Sequence, residues 1–166
     1  DWFVLRPALI YGHGGTSAKL FMALARLPLL PVIGSGEQAV QPVHIRDVVD
    51  SVLACLVTEQ TRQTLDIVGA ETLTFKQWLH TLRAAQGLAP TRTLNIPLRL
   101  ALAATEVGRY FSPLLHPDNL RMLQAGYQGE TQAFNALLGR RPLAFAPALL
   151  TQDASSAQTG STPCSI

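Results

Sequence analysis

The chain has 166 residues, 48% of them apolar and 14% charged, with 13 Lys and Arg against 11 Asp and Glu and a formal net charge of +2. At roughly 100–200 residues per domain this is one domain, or one and a fragment, with apolar content enough for a core, which excludes a collagen-like or disordered chain. The positive charges are scattered, so no window offers the basic cluster that a phosphate backbone requires, and nucleic acid is not an expected partner.

Phe3-Val4-Leu5 and Ala8-Leu9-Ile10-Tyr11 flank Arg6-Pro7 in a nearly continuous apolar run, the pattern of a parallel-sheet strand covered on both faces. Pro7 cannot donate to a ladder, so it belongs near the strand's end or on an unpaired side. Gly12-His13-Gly14-Gly15 breaks the strand, Thr16 or Ser17 is positioned to cap, and 18–27 reads as a helix apolar nearly all round. Pro28 and Pro31 end it, Gly34-Ser35-Gly36 turns, and 41–45 is a short extended segment. Asp47 is placed to cap the next helix, which Val48, Val49, Val52, Leu53 and Leu56 provide with an apolar stripe.

Residues 64–68 form a second candidate sheet strand, stopped by Gly69. Thr74 with Gln77 makes a capping box, and Phe75, Trp78, Leu79 and Leu82 recur at helical spacing until Gly87. Pro97 starts a helix to about Tyr110, Pro117-Asp118 a shorter one, and 131–138 a last one closed by Gly139. The second half is therefore mainly helical. From Thr151 the polar run has too little apolar content to offset its ordering entropy, and a disordered tail over 151–166 is expected.

Chemical signals are sparse. Cys55 and Cys164 form no C-x-x-C pair, so neither zinc nor a disulfide framework is indicated, and no metal ligand is assigned; a reduced, cytoplasmic setting fits. No segment approaches the ~18 apolar residues of a membrane span. The glycines at 12, 14 and 15 suggest an anion site, but the dinucleotide fingerprint is incomplete at Ser17, and a turn that needs glycine is the simpler account. His13 and His44 stand at the ends of extended segments, where an open α/β sheet places its cleft. Asp47 and Asp50 are explained by capping and the helix dipole, and Cys55 by burial.

The segments Leu5-Arg6-Pro7-Ala8-Leu9-Ile10-Tyr11-Gly12-His13-Gly14-Gly15 and Gln41-Pro42-Val43-His44-Ile45-Arg46-Asp47-Val48-Val49 together resemble the later half of extended and atypical short-chain dehydrogenases/reductases, the NAD-dependent epimerase/dehydratase superfamily. Residues 118–126 and 137–142 are similar to the ending of the small C-terminal lobe in the branch related to the 39-kDa-type subunit of complex I, so the resemblance spans about 2–145. It implies an α/β chain: the C-terminal part of a Rossmann-type, doubly wound parallel sheet over 1–70, then a small, mainly helical substrate lobe over 71–150.

The family's glycine-rich pyrophosphate loop and its Tyr-x-x-x-Lys pair precede the strand at which this sequence opens, and no Tyr-x-x-x-Lys occurs in it. The chain, which starts at Asp1 without an initiator Met, therefore reads as a piece of an NAD(P)-dependent oxidoreductase or epimerase, inactive alone, with no catalytic residue of its own. The alternative is a non-catalytic NAD(P)-binding scaffold or assembly protein of the same fold. By resemblance, the backbone at Pro7, Ala8 and Leu9 meets the carboxamide of NAD or NADP, Tyr11 and His13 face the substrate cleft, and Gln41, His44 and Arg46 supply further substrate contacts. Cofactor and small-molecule substrate would thus be met jointly with the missing N-terminal half. Val40 stands where nucleotide-sugar members often carry a diphosphate-binding arginine, so a nucleotide sugar is not implied.

Overall fold

A computed structural model describes residues 1–108 and 117–150. The expected tail, the end of the helix predicted to reach Tyr110, and Cys164 lie outside these residues. Among those described, eight short strands pair two by two: β1 (Phe3–Pro7) with β6 (Gln63–Ile67), β2 (Ile10–Tyr11) with β5 (Val43–His44) and β3 (Leu30–Ile33) with β8 (Thr93–Ile96), all parallel, and β4 (Ala39–Val40) with β7 (Leu73–Thr74), antiparallel. Six helices accompany them: α1 (Thr16–Ala25), α2 (Ile45–Val57), α3 (Phe75–Ala85), α4 (Leu98–Gly108), α5 (Pro117–Ala125) and α6 (Thr131–Leu138). None is long and apolar enough to cross a membrane.

The predicted first strand divides. β1 ends at Pro7 and pairs with β6, whereas β2 starts at Ile10 and pairs with β5, so the chain steps between partners at Ala8 and Leu9. The Ala8 amide donates to the Ile67 carbonyl at 3.0 Å, and the Val43 amide donates to Leu9 at 2.9 Å, which fixes both steps. Alternate residues of a strand address opposite edges. Because Ala8 addresses β6, Pro7 lies on the outer edge of β1, where its missing N–H costs no ladder bond.

The sequence assigns Pro31, with Pro28, to ending the preceding helix, yet it lies inside β3. The same parity explains it: the Leu30 amide donates to Arg92 and that of Gly34 to Ile96, so position 31 points away from β8.

Two apolar clusters hold the fold. One gathers Tyr11, Ala25, Leu30, Val32, Val40, Phe75, Trp78, Leu79, Leu82 and Leu150; the other gathers Val43, Leu65, Ile67 and Phe134, with Phe3, Leu5 and Val48 against them. The face of β1 bearing Phe3 and Leu5 is covered, while Val4 is exposed, so the strand is covered on one face rather than both.

α3 follows its sequence closely: the capping box is complete, with the Gln77 amide donating to Thr74 Oγ1 at 3.1 Å and the Thr74 amide to Gln77 Oε1 at 2.8 Å. α1 and α2 correct the expected caps. Gly15 precedes α1 with no side-chain bond, and α2 is capped by His44, three residues before Asp47. Most of the apolar stripe of α2 is turned outward, Val48 excepted. Val49, Val52, Leu53 and Leu56 are exposed, because Asp47, Val48 and Ser51 form the face that packs inward.

Candidate functional site

Parallel strands bring their carboxyl ends to one edge, the usual place for ligands in open α/β sheets. Here that edge carries the β1-to-β2 step and the paired rung Tyr11–His44. Pro7 is exposed and Ala8 and Leu9 are half-buried. His13 and Arg46 each lie two residues beyond the Tyr11–His44 rung, the first exposed and the second half-buried, so they follow two neighbouring strand ends.

Tyr11, Gln41 and His44, the other substrate candidates, are interior residues, exposed by 3, 5 and 1%. The Gln41 side chain donates from Nε2 to the Gly69 carbonyl at 2.9 Å and accepts the Gly129 amide on Oε1 at 3.2 Å. Both ends of its amide are thereby engaged in holding two distant loops. His44 accepts the Arg46 amide on Nδ1 at 3.2 Å, so its proton sits on Nε2 and is donated to the Leu149 carbonyl, also at 3.2 Å. Tyr11 packs edge-on against His44, with ring centroids 5.2 Å apart, and touches Trp78 and Phe145 at 5.4 Å each. Its hydroxyl has no hydrogen-bond partner among the described residues, and neither has the Trp78 indole nitrogen. Burial, reinforced by the charges of Asp47 and Glu71, raises the Tyr11 pKa well above that of an ordinary phenol, so this hydroxyl stays protonated.

Burial is also the main reason that the His44 pKa is lowered, with Arg46 acting in the same sense and the Leu149 carbonyl and Asp47 opposing. A neutral ring is what the cap requires, since protonating Nδ1 removes the acceptor for the Arg46 amide. With the folded pKa below the unfolded value of about 6.5, the unfolded chain binds more protons in that window. Stability is thus full above about pH 6.5 and falls on acidification. Urea midpoints should drop between pH 7.5 and pH 5, and His44→Asn, which keeps a capping oxygen, should drop less; equal drops would exclude this role.

Sequence reasoning missed the part played by Asp47. It is fully buried: Oδ2 accepts the Leu143 amide at 2.8 Å and Oδ1 lies 2.7 Å from Arg140 Nη2, a charge contact without an aligned hydrogen bond. The same Nη2 donates to Asp50 at 2.6 Å. The two carboxylates at the start of α2 are therefore joined by one guanidinium from beyond α6. An acidic residue at a helix start is equally consistent with a cap, and Arg140 is too distant in sequence for local spacing to reveal the link.

At the end of β1 and β6, Arg6 Nη2 lies 2.6 Å from Asp66, which also accepts from Tyr127 Oη at 2.7 Å. The Tyr127 bond, with help from Arg6, lowers the Asp66 pKa against its partial burial. A cavity of about 350 Å³ between α2, β6 and α6 has no ionisable residue in its lining and touches none of the candidate residues. No group of His, Cys, Asp and Glu among the described residues could hold a metal ion.

No family model matches the chain, and no curated protein does. Solved structures do. UDP-glucuronic acid 4-epimerase from Bacillus cereus, crystallised with UDP-glucuronic acid and NAD, aligns at 16% identity over 89% of this chain and 42% of its own, with a TM-score of 0.57. The dTDP-glucose 4,6-dehydratase from Streptomyces venezuelae, with NAD bound, aligns at 18% identity over 89% of this chain and 40% of its own, with a TM-score of 0.58. The chain spans about two-fifths of the length of these structures. Its fold is that of part of a Rossmann-type α/β epimerase or dehydratase, the fold that the sequence resemblance implied.

Proposed function

We propose that this chain supplies the nicotinamide end of the cofactor site and one wall of the substrate cleft in an NAD(P)-dependent oxidoreductase or epimerase of the atypical short-chain type. In this reading it is the C-terminal portion, 1–70 closing the dinucleotide-binding sheet and 71–150 forming the substrate lobe, and it is inactive without the part that carries the glycine-rich loop and the Tyr-x-x-x-Lys pair. The observation that carries the proposal is the β1-to-β2 step. A parallel strand ends at an exposed proline, and the chain crosses to a second parallel pair, leaving Pro7, Ala8 and Leu9 along the carboxyl edge.

These residues suit one end of a dinucleotide and not its pyrophosphate, for which this chain has no glycine fingerprint. NAD(P), when bound, supplies hydride transfer; the chain's own share is to hold and orient. The Ala8 amide and Leu9 carbonyl are spent on sheet bonds, so the carboxamide would meet the remaining backbone of this step. His13 and Arg46 are the candidates best placed to meet substrate, while Tyr11, Gln41 and His44 would act from behind the wall.

The engagement of Gln41 and His44 by the fold itself supports the second reading, a scaffold that keeps the cofactor without turnover. One experiment addresses both. The chain is expressed joined to the coding sequence immediately upstream and titrated with NAD and NADP. Binding by the joined protein, with none by the 166-residue chain, is expected; tight binding by the chain alone, or an upstream sequence lacking a glycine-rich strand-turn-helix, overturns the proposal. An upstream Tyr-x-x-x-Lys favours the enzyme and its absence the scaffold.

A further inference from the structure

The segment 140–150 lies across the Tyr11–His44 cluster and is fastened at successive points. Arg140 spans Asp47 and Asp50, the Leu143 amide donates to Asp47, the Phe145 ring lies 5.4 Å from Tyr11 and 5.2 Å from Trp78, and the Leu149 carbonyl accepts from His44. Beneath it Tyr11 Oη and Trp78 Nε1 are buried without partners, each a desolvated polar group left uncompensated by the fold. Such orphans are uncommon in a settled core. Between the segment, at Leu143 and Phe145, and the body, at Pro42, Glu71, Leu73 and Trp78, lies a cavity of about 10 Å³, which Trp78 lines and Tyr11 does not. That is barely room for one water.

We propose that 140–150 is a strap closed over a small-ligand site anchored by Trp78 Nε1, with Arg140 as its latch. The ligand would be uncharged and compact. The indole N–H only donates, so the ligand presents an acceptor, and Glu71 in the lining disfavours an anion. Closure leaves no room for such a molecule, so entry requires the strap to lift. Arg140 is built to let go: its Asp47 end is buried, but its guanidinium is 38% and Asp50 49% exposed, so water can compete for it.

Trp2 and Trp78 are the chain's two tryptophans, so Trp2→Phe leaves Trp78 as the sole reporter. Acrylamide, itself a small uncharged carbonyl compound, is the probe. In the Trp2→Phe chain, quenching should be weak, and adding Arg140→Ala should raise it several-fold at unchanged far-UV circular dichroism. Unchanged quenching in a folded Arg140→Ala chain, or strong quenching before the latch is cut, overturns the proposal. Should Arg140→Ala fail to fold, Asp50→Asn removes only the exposed arm; it should raise quenching by a smaller factor, and no rise overturns the strap. The readout needs no NAD, so the strap and the dinucleotide reading fail separately.

Discussion

Gly69→Ala should be among the most damaging single changes available to this chain. A Cβ at 69 would lie 1.8 Å from the Pro42 carbonyl oxygen and 2.8 Å from its carbon, backbone against backbone, with no side chain able to yield. Relief requires moving the 41–43 segment, and with it Val43 in the core and the bonds that Gln41 exchanges with Gly69 in both directions. Overpacking usually costs about 1–3 kcal/mol, and a clash borne by backbone belongs at or above the top of that range. Against a domain stability of about 5–15 kcal/mol, this is a large fraction. Equilibrium urea unfolding should show a markedly lower midpoint, or a chain unfolded in water. Ala70→Gly, one residue on and exposed, should shift the midpoint far less; a native-like midpoint for Gly69→Ala would refute the close approach.

Asp47→Ala should be the second large loss. It removes the acceptor for the Leu143 amide and one of the two carboxylates on Arg140. Breaking a buried ion pair costs about 3–5 kcal/mol; with the guanidinium partly solvated and still paired to Asp50, about 2–4 kcal/mol is expected. Asp47→Asn retains an oxygen for Leu143 and should fall between the two. In a double-mutant cycle, Asp47→Ala and Arg140→Ala should be strongly non-additive, whereas additive losses would mean that the 2.7 Å contact contributes nothing.

What could be read from sequence was what adjacent residues decide among themselves. α3 was legible from its first residue to its end because cap, stripe and terminating glycine all lie within fourteen positions and agree. α6 was legible through the glycine that closes it, and β1 and β6 as separate strands. β3 and β8 were not: they pair across some sixty residues, one contains a proline, and Leu94 and Asn95 of the other face outward. On α2, periodicity located the apolar face correctly, but whether anything covers that face is not a local property. The site divided likewise. That Pro7 lies off the ladder followed from its missing N–H, and its assignment with Ala8 and Leu9 to the cofactor rests on the family resemblance, whereas the work done by Gln41, His44 and Asp47 depends on Gly129, Leu149 and Arg140, about ninety or more positions away.

The parity of Pro7 has a consequence for anything that docks beside β1. Phe3 and Leu5 share that outward edge, and their amides are available in register to an incoming parallel strand; at Pro7 the donor row stops. A neighbouring strand therefore finds two amide donors on β1 and, at Pro7, only a carbonyl acceptor. Above it the Leu9 carbonyl on that same edge is already taken by the Val43 amide, so the donor row open to a partner strand is two residues long, its upper limit written into the covalent structure of one imino acid.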